Sequence, residues 1–138
     1  MRIAVIDGQG GGMGKALIEG LRAELGDGIN ILALGTNALA TSLMLKAGAN
    51  EGATGENAVV WNAPQADIIL GSVAVLAANS MLGELTPAMA RAVAESGAKK
   101  VLIPLNRCNI YVVGAAAEPL PHHIAHAVHF VKDLLRGE

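Results

Sequence analysis

A cluster of glycines follows the first apolar run of the chain, and its residue types are the ones most suited to binding an anion. The glycines lie between Asp7 and Lys15 and are Gly8, Gly10, Gly11, Gly12 and Gly14. Glycine permits the positive φ angles of a tight strand-to-helix turn, and without a Cβ its N–H can approach a ligand closely. A helix that starts in this turn adds a positive dipole end. The cluster therefore predicts a phosphate cradle.

The spacing of the glycines was compared with three nucleotide-binding patterns. Gln9 stands where the dinucleotide pattern G-x-G-x-x-G, placed to end at Gly14, has its first glycine. The NTPase pattern G-x-x-x-x-G-K-[ST] fits at Gly14-Lys15, but Ala16 replaces the magnesium-binding hydroxyl. The best match is G-x-x-x-G-x-G through Gly8, Gly12 and Gly14.

That last pattern resembles the cofactor loop of short-chain dehydrogenases over about the first forty residues. The resemblance implies a nucleotide site. The Tyr-x-x-x-Lys catalytic pair of that family has no counterpart, because Ala115 stands four residues after Tyr111. The resemblance therefore does not imply the catalytic mechanism of a dehydrogenase for this chain.

The residues that would read the cofactor follow the second strand. A dinucleotide site places a ribose-binding acid there, and this chain has Gly35, Thr36 and Asn37 instead. Thr36 and Asn37 can hydrogen-bond a 2′-phosphate, with Lys15 or Lys46 supplying charge, so NADP or another nucleotide is the expected ligand. Asp7 would repel a phosphate within about 4 Å unless a cation intervenes. It either ties the glycine amides, as Asx residues do in turns, or bridges a cation or an amine.

Small or polar residues also end the other strands, and the carboxyl ends of parallel strands meet at one edge of a sheet. We expect Thr54, Ser72, Asn106 and Arg107 to join the glycine loop at this edge. Thr36, Asn37 and Thr54 can equally be helix caps. Arg107 has the planar fork that binds a phosphate or carboxylate, or it pairs with Glu56 or Glu84.

Each remaining candidate for a functional role also has an explanation that involves no ligand or chemistry. His122, His126 and His129 share one helix face, a spacing that can bind zinc, but we expect exposed imidazoles and no metal. Cys108, beside Arg107, is either a reactive thiolate or a small buried residue.

Apolar runs alternate with helical patterns along the whole chain, which is typical of βαβ units. The predicted strands are Arg2–Asp7, Ile29–Leu34, Asn50–Ala53, Asp67–Gly71 and Lys100–Leu105. The predicted helices are Gly11–Leu25, Asn37–Ala47, Gly55–Ala63, one that starts at Thr86-Pro87 and ends at Gly97, and Pro119–Arg136. The stretch Ser72–Leu85 is ambiguous.

These elements predict one domain over residues 1–138, an α/β fold with three Rossmann-like layers and a mostly parallel sheet. Too few residues separate strand 5 from the run Ile110–Val113 for a parallel crossover, so an antiparallel edge hairpin is expected there.

Composition narrows the class of protein. The chain has a net charge of −2 and no basic block with interleaved aromatics, which argues against nucleic-acid binding. Its longest apolar stretch, Ile68 to Ala78, is too short to span a membrane, and its one cysteine argues against a disulfide framework. We expect a cytoplasmic protein. A mean hydropathy of +0.44 favours a homo-oligomer.

The chain as a whole also resembles a family of small bacterial proteins that carries only an unknown-function label. The residues that carry this resemblance span nearly the whole chain: Ile6 to Gly12, Leu34 to Thr41, Gly52 to Asn57, Asn79 to Glu84 and Ile103 to Asn109. The resemblance implies a stand-alone Rossmann-like domain and names no substrate. Three functions stay open: a binding or sensing module, an NAD(P)-dependent oxidoreductase completed at an oligomer interface, and a structural or regulatory subunit without ligand.

Overall fold

The computed structural model describes residues 1–105 and 109–137. Its strands are β1 (Arg2–Asp7), β2 (Asn30–Gly35), β3 (Glu51–Thr54), β4 (Ile68–Ser72) and β5 (Lys99–Ile103). Its α-helices are α1 (Gly12–Leu25), α2 (Ala38–Ala47), α3 (Glu56–Asn62), α4 (Pro87–Glu95) and α5 (Leu120–Leu135). Short 3-10 helices cover Gly26–Gly28, Ala63–Gln65 and Val73–Leu76.

The five strands form one sheet in the order β3-β2-β1-β4-β5, and the strand pairs formed by the described residues are all parallel. Strand order reverses between β1 and β4, because the chain first builds outward from β1 to β3 and then returns to the other side of β1. In sheets of this kind, the crevice at the reversal is where ligands bind. The predicted three-layer α/β fold is confirmed.

The central strands β2, β1 and β4 contribute side chains to two hydrophobic cores, because successive side chains point to opposite faces of the sheet. In β1, Ile3 and Val5 pack with α1, α2 and α5, whereas Ala4 and Ile6 pack with α3 and α4. Burial on both faces explains why the strands read as continuous apolar runs. None of the helices in the described residues has the length and apolarity needed to cross a bilayer.

The expected antiparallel hairpin does not form, since residues 110–113 belong to no strand and β5 is the edge of the sheet. A strand there would find little to pack against: Val113 is fully exposed and Tyr111 is 72% exposed. The chain instead turns at Gly114, which has a φ of 88°. The ambiguous stretch after β4 becomes the 3-10 helix Val73–Leu76 followed by turns that run to Leu85.

Helix starts follow the sequence signals where a capping side chain is present. Thr86 accepts a hydrogen bond from the Met89 N–H at 3.2 Å, with Pro87 at the first helical position. Asn37 caps α2 by accepting from the Ala40 N–H at 2.9 Å. The cap interpretation of Asn37 is therefore confirmed.

Candidate functional site

A cleft of about 790 Å³ opens at the point where strand order reverses. Its volume lies within the range of about 300 to 1,000 Å³ that is usual for ligand sites. The residues that line it come from the end of β1 and the glycine loop, the end of β4, the loop before α4, the residues just after β5 and the start of α5. They are Asp7, Gly8, Gln9, Gly10, Gly11, Gly12, Met13, Ser72, Ala74, Ser80, Met81, Leu82, Leu105 and Leu120.

The buried Asp7 carboxylate holds the glycine loop in shape. Its Oδ1 accepts the Gly8 N–H at 2.8 Å, and its Oδ2 accepts the Gly14 N–H at 2.7 Å. Both oxygens are thus turned toward loop amides, and the expected tie between Asp7 and the glycine amides is confirmed.

The glycines of the loop divide into two kinds. A Cβ on Gly8 would meet Thr36 Oγ1, a Cβ on Gly14 would meet Met44, and Gly11 caps α1 with a φ of 77°. These three are required by the fold itself. A Cβ on Gly10 or Gly12 would meet no atom within 4 Å, and neither residue has a positive φ. Packing and backbone conformation therefore leave Gly10 and Gly12 unexplained.

The first turn of α1 presents backbone donors to the cleft. Within the described part of the chain, the N–H groups of Gly10, Gly12 and Met13 have no protein acceptor, and all three residues line the cleft. The positive end of the helix dipole adds to the attraction for an anion. Apolar side chains also line the cleft, namely those of Met81, Leu82, Leu105 and Leu120.

Thr36 and Asn37 do not line the cleft, and their polar groups already have a partner that the sequence analysis missed. The half-buried Glu84 reaches them from the loop before α4. Its Oε1 accepts from the Gln9 N–H at 2.8 Å, the Thr36 hydroxyl at 2.7 Å and the Asn37 Nδ2 at 2.8 Å. The Gln9 N–H, followed by Thr36 and Asn37, holds the pKa of Glu84 below its ordinary value. The Thr36 and Asn37 donors that the sequence analysis assigned to a 2′-phosphate are therefore in use by a carboxylate of the protein itself.

Two other expected site residues, Lys15 and Thr54, do not line the cleft. Lys15 is exposed on α1. Thr54 is exposed at the end of β3 and hydrogen-bonds Thr41, with 2.7 Å between the two hydroxyl oxygens. Ser72 does line the cleft, and its Oγ accepts the Ala74 N–H at 3.2 Å. Three further candidates, Asn106, Arg107 and Cys108, lie outside the described residues.

The histidines of α5 gather no ligand set. His126 lies 3.8 Å from Glu118 and His129 lies 3.9 Å from Asp133, and both imidazoles are more than two-thirds exposed. In residues 1–105 and 109–137, no group of three or more His, Cys, Asp or Glu side chains is arranged to hold a metal ion.

The loop after β4 supplies most of what the sequence analysis missed, namely Ser80, Met81, Leu82 and Glu84. A signal for it was present, because the segment Asn79 to Glu84, which contains the polar residues Asn79, Ser80 and Glu84, follows β4 in the chain and is one of the segments that carried the resemblance. Their separation from the glycine loop by about seventy residues hid the contact.

Five parallel strands, a glycine turn after β1 and a cleft beside that turn define a Rossmann-like α/β domain. The chain belongs to the family described as "Domain of unknown function (DUF3842)", whose match covers residues 2–136. No curated protein matches the chain.

Among solved structures, the chain is similar to a dodecameric FMN-dependent UbiX-like decarboxylase from Escherichia coli O157:H7. The TM-score is 0.51 at 15% sequence identity, with 99% of this chain and 95% of that chain covered. This similarity supports the fold assignment.

Proposed function

We propose that this protein binds a phosphate-bearing mononucleotide in the cleft, with the phosphate on the N–H groups of Gly10, Gly12 and Met13. The observation that carries the proposal is the open space at Gly10 and Gly12, beside amides that have no acceptor in the described residues. An anion at this place would complete hydrogen bonds that the helix start leaves unmade.

The residues that line the cleft indicate the chemical character of the part of the ligand beyond the phosphate. Met81, Leu82, Leu105 and Leu120 offer apolar surface, and Ser72 and Ser80 also line the cleft. This pairing of an anion cradle with an apolar wall suits a phosphate joined to a flat heterocyclic body. FMN is the first candidate, because the similar solved structure is an FMN-dependent protein.

A binding role fits the cleft better than acid–base catalysis. Among the described residues that line the cleft, Asp7 is the only titratable side chain. Both of its carboxylate oxygens accept hydrogen bonds from loop amides. We therefore favour a binding or sensing module over an oxidoreductase or a subunit without ligand.

Ligand-dependent melting tests the proposal. Binding to the folded state alone stabilises it by about 2.7 kcal/mol at a ligand concentration 100 times Kd. For a chain of this size we expect FMN at that excess to raise the melting temperature by roughly 5 to 10 °C. NADP should give a much smaller shift. The control panel contains FMN, 5′-AMP and inorganic phosphate at millimolar concentration. If none of them changes the melting temperature of the purified protein, the proposal is contradicted.

We also propose that the protein assembles with copies of itself. Large apolar side chains are exposed along the loop before α5, on α5 itself and beside the cleft, including Tyr111 at 72%, Val113 at 100%, Phe130 at 55% and Leu82 at 97%. Apolar surface of this kind commonly marks an interface. Light scattering at micromolar concentration should give the mass of a dimer or a larger assembly, and a monomer mass would contradict this prediction.

A further inference from the structure

Glu84 occupies the place where dinucleotide-binding sheets read the ribose of the adenosine half. That place is the carboxyl end of β2, next to the glycine turn. Here Thr36 and Asn37 supply the polar groups, and both donate to the Oε1 of Glu84. Glu84 belongs to the loop between β4 and α4, and β4 lies on the side of β1 opposite to β2. The N–H of Gln9 donates to the same oxygen. A protein carboxylate thus uses the polar groups at the end of β2.

The loop that carries Glu84 also packs on the glycine turn that lines the cleft. A Cβ built on Gly8 would lie 2.7 Å from Met81 Sδ and 3.1 Å from Glu84 Oε1. Both side chains therefore pack directly on the backbone of the glycine turn. Met81 lines the cleft, whereas Glu84 does not.

The conformation of this loop is held by its own contacts. The Ser80 hydroxyl donates to the Ala74 carbonyl at 2.7 Å, and the Asn79 N–H donates to the Leu85 carbonyl at 2.8 Å. These bonds maintain a backbone that non-glycine residues seldom adopt. Positive φ angles occur at Asn79 (65°), Met81 (57°), Leu82 (56°) and Gly83 (89°).

We infer that Glu84 is a specificity-determining residue, which closes the β2 side of the site and restricts it to mononucleotides. This inference rests on the proposed function. A dinucleotide would have to place its second nucleoside where Met81 and Glu84 lie. A 2′-phosphate would meet the carboxylate charge and find the Thr36 and Asn37 donors already in use. Steric exclusion and repulsion between like charges allow a site to discriminate between ligands that share the same phosphate group.

FMN and FAD test the occupied space, because FAD contains the FMN phosphate extended by AMP. We expect the wild-type protein to bind FMN at least about tenfold more tightly than FAD. Glu84→Ala should admit FAD and lower this preference by about tenfold, measured by flavin fluorescence titration. Glu19→Ala removes the same charge from an exposed position on α1 and should leave the preference unchanged.

A second pair of ligands tests the charge. Adenosine 2′,5′-bisphosphate differs from 5′-AMP by one phosphate, and Glu84→Gln retains an acceptor oxygen while removing the negative charge. We expect Glu84→Gln to raise the affinity for the bisphosphate about tenfold relative to 5′-AMP, measured by calorimetry. This variant also keeps the test available if Glu84→Ala does not fold.

The outcomes separate the two proposals. If wild-type protein binds FMN or 5′-AMP but neither Glu84 variant changes its preference, the inference is overturned and the proposed function stands. Equal weakening of all ligands by both variants has the same meaning, because it shows a purely structural role. If no nucleotide binds to any of the proteins, the proposed function and the inference fail together.

Discussion

Replacing Asp7 with alanine is expected to lower the free energy of unfolding by about 2 to 5 kcal/mol, because two buried N–H groups would each lose their acceptor. The donors are Gly8 and Gly14, whose N–H groups lie 2.8 and 2.7 Å from the carboxylate oxygens. They belong to the turn and to the first turn of α1, so the loss falls on the start of the cleft-forming helix. Urea denaturation followed by circular dichroism measures the change.

Asp67 provides a matched control for this substitution. Its carboxylate also accepts a backbone N–H, from Arg2 at 2.6 Å, but the side chain is exposed. Water can replace that acceptor, so Asp67→Ala should cost no more than about 1.5 kcal/mol. Equal effects of the two substitutions would show that the Asp7 tie adds nothing to the stability of the loop.

Replacing Gly12 with valine is expected to weaken binding of FMN by at least about 100-fold, which corresponds to about 2.7 kcal/mol. The Cβ of residue 12 would project into space that no protein atom occupies within 4 Å. In the proposed site that space belongs to the phosphate. A branched side chain there would hold the phosphate away from the amides, and each lost charged hydrogen bond costs about 1.5 to 3 kcal/mol.

The same substitution at Gly97 is the control, because a Cβ there also meets nothing within 4 Å and Gly97 does not line the cleft. We expect Gly97→Val to leave the affinity for FMN unchanged. We also expect Gly12→Val to keep its fold, since Gly12 has neither a positive φ nor a close neighbour. Unaltered binding by folded Gly12→Val would place the phosphate elsewhere.

Much of the fold was predictable because its signals are local. Strands buried on both faces must be apolar at every position, and a glycine cluster must separate a strand from a helix that turns back tightly. Those two requirements were enough to predict β1, the turn and α1. The tie between Asp7 and the loop amides was also predictable, because it joins residues no more than seven positions apart.

The predicted hairpin shows where local signals mislead. The apolar run Ile110–Val113 has the composition of a strand, but strand formation there requires a partner edge and a face to bury. The structure places β5 at the edge of the sheet but leaves Tyr111 and Val113 exposed, so the run buries no face. Apolar residues at a surface can instead serve an interface, which the sequence of one chain does not distinguish from a core.

By itself, the sequence determined the parallel α/β architecture, the position of the glycine turn and the edge of the sheet at which polar residues gather. Only the tertiary structure decided which of those residues meet. Glu84 lies 48 positions from Thr36 and 75 from Gln9, and it reaches both because strand order reverses between β1 and β4. Periodicity reports which face of an element is buried, whereas the path of a loop across the edge of the sheet depends on packing among distant segments. For that reason Thr36 and Asn37 looked like ligand donors in the sequence and proved to be partners of a carboxylate in the folded protein.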